Sequence, residues 1–152
     1  MPPVELTLAP VTSSVAAARG FLTRTLEEWS RSDPAWESVE WPAVQALSEL
    51  ATNAVLHAAT EFTVVLDQDA GALRMEVRDR SPRALHQHRY GLQATTGRGL
   101  ALVGTLSRDW GVAVGADGGK VVWCLVAPAD GDGALDLADF LSDEERAELE
   151  AL

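Results

Sequence analysis

The stretch Ser48-Glu49-Leu50-Ala51-Thr52-Asn53-Ala54-Val55-Leu56-His57 decides how the rest of this chain is read. It holds no Gly or Pro, and its apolar residues recur at helical intervals, which predicts a helix. Residues four apart on a helix lie one above the other, so Glu49 and Asn53 project side by side, with His57 one turn further on. Two readings of that face stand open. In one, Leu47, Leu50, Ala51, Ala54 and Val55 form the buried stripe, and Glu49 and Asn53 are an ordinary solvated surface. In the other, a carboxylate and an amide are held on an apolar element, where an unpartnered polar group is costly. Together they then offer the hard oxygen ligands that suit Mg²⁺. His57 reads as a packing residue or a helix-end cation.

Working outward, residues 4–9 alternate Val4, Leu6, Leu8 against Glu5 and Thr7, a short strand closed by Pro10. Residues 15–29 follow as an amphipathic helix capped by Ser13 or Ser14. Residues 30–41 read as a loop with at most one helical turn, and residues 42–57 as the second helix, with Pro42 in its first turn. Strands are expected at 61–67 and 72–79, joined by a hairpin across Gln68-Asp69-Ala70-Gly71. Residues 81–97 show no periodicity and read as a loop. A helix over 100–106 opens at Gly99, and a second hairpin pairs 110–114 with 121–127 through Ala116-Asp117-Gly118-Gly119. Residues 143–152 suit a short terminal helix capped by Ser142. This order predicts an α+β fold, a two-layer α/β sandwich whose mixed, mostly antiparallel sheet carries helices on one face.

Apolar residues make up 47% of the 152, enough for a globular core rather than disorder. The net charge of −11 argues against a nucleic-acid partner, for which a basic face is expected. Residues 130–152 hold nine acids against one base and carry −8 of that charge, leaving −3 for residues 1–129. The expected organisation is therefore a domain over 1–129 and an acidic tail over 130–152. Eleven of the twelve bases are Arg, a bias of composition more than of any site. Cys124 is alone, which removes internal disulfides and Cys-based metal sites, and its Val-Val-Trp-Cys-Leu-Val context suggests a buried strand thiol. No run is long enough to span a membrane, and the opening Met-Pro-Pro-Val-Glu lacks the basic and apolar regions of a signal peptide. A reducing cytoplasm is the expected location.

Three further features could carry chemistry. Asp79 keeps the parity of Leu73, Met75 and Val77, placing a carboxylate on the core side at a strand end; alternatively it caps the turn at Ser81-Pro82. Gly97-Arg98-Gly99-Leu100 opens a helix, and helix N-termini favour phosphate, although an ordinary loop-to-helix turn has the same sequence. Six bases fall between Arg74 and Arg98, either a solvated loop or a lid whose guanidiniums reach phosphates. His86 and His88 lack the further ligands of a metal site.

The order Glu49-x-x-x-Asn53-Ala54 on a helix, Asp79 after a strand, and Gly97-x-Gly99 opening a helix resembles the GHKL (Bergerat-fold) ATPases. The finer likeness is to the small actinobacterial anti-sigma-factor-type serine/threonine kinases, over roughly residues 4–127. The resemblance implies ATP and Mg²⁺ as cofactors, with Asn53 as metal ligand and Glu49 as general base or orienter of the nucleophile. It implies that Asp79 accepts a hydrogen bond from the adenine amino group, and that N–H groups around Gly97, Arg98, Gly99 and Leu100 line the phosphates. Implied partners are an anti-sigma antagonist of the STAS type, a sigma factor and a second copy in a homodimer. The alternative is a non-catalytic binding module of the same fold. Two positions depart from the family pattern: Arg80-Ser81-Pro82 follows Asp79 where glycines are usual, and Val121 stands where a Thr that helps bind adenine is expected.

Overall fold

The computed structural model describes residues 1–58, 60–80, 99–115 and 118–129, with the backbone alone for 99–101. Alternating apolar residues build a five-stranded sheet from β1 (Val4–Leu8), β2 (Phe62–Asp69), β3 (Ala72–Asp79), β4 (Asp109–Val114) and β5 (Lys120–Val126). Its order is β1-β2-β3-β5-β4, and every neighbouring pair is antiparallel. No parallel pairing is present among these strands, where a mixed sheet was expected. The fold is α+β.

Register assigns the two faces. Val64, Val77 and Val122 lie in one cross-strand row and Leu66, Met75 and Cys124 in the next, all buried. Residues of the other parity, among them Thr63, Arg74, Glu76, Arg78 and Trp123, form the outer face. There Glu76 pairs with both Arg74 (3.0 Å) and Arg78 (2.6 Å). The β2–β3 hairpin turns through Ala70 and Gly71 at φ 50° and 80°, the left-handed pair that a two-residue primed turn requires.

Three helices cover the buried face. Helix α1 (Ser13–Ser32) turns Val15, Ala18, Leu22, Leu26 and Trp29 inward, and α2 (Glu40–His57) turns Ala43, Ala46, Leu47, Leu50, Ala51 and Ala54. Helix α3 (Gly99–Leu106) adds Val103 and Leu106. None of the described helices is long and apolar enough to cross a membrane.

Two expectations between residues 12 and 41 need correction. Helix α1 starts at Ser13 behind Thr12 without a side-chain cap; Ser14 lies inside the first turn and its Oγ donates to the Ala9 carbonyl at 2.7 Å. Residues 30–41 are also more helical than expected. Helix α1 continues to Ser32, Asp33 accepts the Ala35 N–H, and a 3₁₀ helix over Pro34–Val39 leads straight into α2. Pro34 sits at the start of that segment, where its missing N–H costs nothing. Trp36 closes the junction against Trp29, ring centroids 5.0 Å apart and edge to face.

Gly111 marks a close approach at the β4–β5 pair. A Cβ there would stand 2.8 Å from Trp123, over whose ring the Arg74 guanidinium lies, 4.7 Å from its centroid. Gly111→Ala is expected to cost about 1–3 kcal/mol by overpacking. Urea unfolding checks it: the midpoint falls while the slope stays constant.

Candidate functional site

Strand register sets one of the candidate residues, Asp79, in its surroundings. Helix α2 ends at His57, and β2 begins five residues later at Phe62, which pairs with Asp79. Asp79 in turn pairs with Lys120, so Phe62, Asp79 and Lys120 form the last row at one end of the sheet. Asn53 lies one helical turn before the end of α2. Helix α2 packs on β3, β5 and α3. Helix α3 hands the chain to β4 at Asp109, opposite Leu125 at the far end of β5.

Asn53 is 3% exposed, which removes the solvated-face reading for this residue. Its neighbours on α2 satisfy themselves: Ser48 Oγ donates to the Val44 carbonyl and Thr52 Oγ1 to the Ser48 carbonyl. Asn53 Nδ2 differs, being buried without a hydrogen-bond partner among the described residues. A buried amide left unsatisfied is costly, and half a turn about its terminal bond would place Oδ1 there instead. Glu49 stands one turn earlier and is only half-buried.

Asp79 is 3% exposed and on the core-side parity, as its alternation with Leu73, Met75 and Val77 predicts. What the parity does not reveal is its neighbour. Lys120 is 2% exposed and its Nζ lies 3.5 Å from Asp79 Oδ2. Burial pulls the Lys120 ammonium below its ordinary value of 10.5, and the charge and hydrogen bond of Asp79 offset part of that. The register corrects the expectation at Val121, which pairs with Arg78 and shares its outer face, so the residue beside Asp79 is Lys120. A signal for it was present in the sequence. Lys120 is the chain's single lysine, and it shares parity with Val122, Cys124 and Val126.

Other candidates differ from Asp79 in face or in depth. Arg74 and Arg78 are engaged by Glu76 on the outer face, so they do not belong to a phosphate-reaching lid. Cys124 is fully buried, and burial pushes its thiol up to about 12, the inert strand thiol expected. Gly97, Arg98, the loop over 81–97 with His86 and His88, and the helix over 143–152 lie outside the described residues. Gly99 and Leu100 open α3, of which the backbone is described. No group of three or more His, Cys, Asp or Glu able to hold a metal occurs among the described residues. A hard cation here would rest on one protein oxygen and complete its shell from phosphate and water, as Mg²⁺ commonly does.

Residues 8–125 match the histidine kinase-like ATPase domain family, from the end of β1 to the last turn of β5. The chain belongs to this family. A crystal structure of the RsbU and RsbW domains of Rv1364c from Mycobacterium tuberculosis has the same fold, with a TM-score of 0.58 and 23% identity. The match covers 84% of this chain and 32% of that one, so the chain spans about a third of that relative's length. A comparison with curated proteins gives no match.

Proposed function

We propose that this histidine kinase-like ATPase domain binds Mg·ATP at the end of the sheet marked by Asp79 and transfers the γ-phosphoryl group to a serine of a partner protein. The observation that supports the reading is Asn53, a buried amide with an unsatisfied atom on α2, the helix that packs on β3 and β5. Asn53 would hold Mg²⁺, which when bound neutralises phosphate charge. Asp79 would accept the adenine amino group. The N–H groups opening α3, with those of Gly97 and Arg98 before it, would face the phosphates.

Glu49 would accept the proton of the attacking serine as its Oγ bonds to the γ-phosphorus and the bond to the β,γ-bridging oxygen breaks, releasing ADP. The proposed acceptor is an anti-sigma antagonist of the STAS type, with sigma-factor sequestration as the coupled output and a homodimer as the assembled form. This reading places the protein in the cytoplasm.

Titration calorimetry with ATP and GTP, each with and without Mg²⁺, tests the binding half. ATP is expected to bind selectively and with Mg²⁺ dependence, and Asn53→Ala is expected to abolish that dependence. Absence of binding at millimolar nucleotide would leave the second reading, a protein-binding module of the same fold. The buried Asp79–Lys120 pair favours that second reading in one respect, since the base acceptor already has an internal partner.

A further inference from the structure

Lys120 calls for a reason to be where it is. Eleven of the twelve basic residues are Arg, and the one Lys stands at the first position of β5, pointing into the helix-covered side. The residues that follow at the same parity are Val122, Cys124 and Val126, all buried. An aliphatic side chain at 120 would continue that row without desolvating a charge. Buried ion pairs are seldom better for stability than apolar residues of similar volume, because the loss of hydration roughly cancels the attraction. The pair is the last row of the β3–β5 ladder, where β3 leaves the sheet and β5 enters it, and not in the middle of the sheet.

We propose that Lys120 is a base-reading residue, donating an N–H to a purine ring nitrogen while Asp79 accepts from the adjacent exocyclic amino group. The proposal rests on the nucleotide reading above and deepens it. An ammonium carries three donors and a carboxylate about four acceptor positions, so the two can stay paired and still bind a third group. Adenine presents its amino group flanked by the acceptors N1 and N7, a donor beside an acceptor on either edge. Asp79 and Lys120 offer the complement, an acceptor beside a donor. Guanine presents O6 where adenine has its amino group, which sets an acceptor against the carboxylate. The pair thus selects adenine with two contacts of opposite polarity, and leaving either unmade in a buried site is costly. The lowered basicity that burial gives Lys120 suits this role, since a partly desolvated ammonium retains an incentive to find a second acceptor.

The test compares ATP with 1-deaza-ATP and 7-deaza-ATP, in which one ring nitrogen at a time is replaced by C–H, by calorimetry on the full chain with Mg²⁺. One of the two analogues is expected to bind about tenfold or more weakly than ATP, the loss of one hydrogen bond to a charged group. In Lys120→Met that discrimination is expected to vanish. Because the chain has one lysine, selective ¹⁵N-lysine labelling gives a single side-chain signal, expected to shift with ATP and not with ribose triphosphate. Equal affinities for ATP and both analogues would overturn the assignment of Lys120 while leaving ATP binding intact. Failure of ATP itself to bind would overturn the nucleotide reading and this proposal together. The wild-type comparison decides the matter even if Lys120→Met does not fold.

Discussion

Glu49→Ala is expected to leave ATP affinity close to that of the wild type and to slow phosphoryl transfer by about 10²–10⁴-fold, the usual contribution of a positioned proton acceptor. The separation follows from where the two α2 residues sit. Asn53 is buried with an unpartnered amide Nδ2 among the described residues, and Glu49 is half-buried one turn away. Removing the Glu49 carboxylate leaves Asn53 in place to hold Mg²⁺, so binding should survive. It also strands no buried charge, so stability should change by about 0.5 kcal/mol or less. Glu49→Gln refines the test, because the amide keeps the shape and can still accept a hydrogen bond but cannot take a proton. Single-turnover transfer from labelled ATP to a STAS-type acceptor, alongside calorimetry, gives both quantities. Slow transfer in both variants marks Glu49 as the base; slow transfer in the alanine variant alone marks an orienting role. Wild-type rates in both would remove Glu49 from the chemistry.

The part of this site most legible in the sequence is Asp79, set on the core side of β3 because strand spacing assigns faces without knowledge of neighbours. Helical spacing placed Asn53 on α2 but left its face open between a solvated and a buried reading, which burial in the fold decides. Lys120 was not legible in that way. Its role depends on which residue of β5 stands beside Asp79, a register set by two strands forty residues apart in sequence and by the intervening helix and edge strand. A shift of one residue separates Val121 from Lys120 and moves the side chain to the other face of the sheet. The same holds for Arg74 and Arg78, whose clustering in sequence with Arg80 suggested a lid until their parity put them with Glu76 on the outer face. At the α1–α2 junction the difficulty was local. Pro34 reads as a breaker, yet at the first position of a helical turn it is permitted, and Asp33 supplies the cap that makes it so.

Asp79→Asn is expected to destabilise the protein by about 3–5 kcal/mol, the cost of removing one partner of a buried ion pair while the other stays. Native stabilities are about 5–15 kcal/mol, so the variant should be visibly marginal. The loss should depend on pH with a definite sign. In the wild type, burial lowers the Lys120 pKa and Asp79 raises it part of the way back. Without the carboxylate those raising effects vanish and the folded-state value falls further, while the unfolded chain keeps the ordinary 10.5. Between the two values the unfolded state binds more protons, so stability rises with pH across that window. The wild type shows the same sign over a narrower range. Urea unfolding at a series of pH values should therefore show the deficit of Asp79→Asn shrinking as pH climbs from neutrality toward 10.5. Adding Lys120→Met removes the stranded charge and should recover most of the stability at neutral pH, a coupling that independent sites would not show. It should not recover ATP affinity. A double variant that folds normally yet no longer selects ATP would separate the two jobs of this pair, because an ion pair kept only for the fold could be replaced by an apolar one without loss.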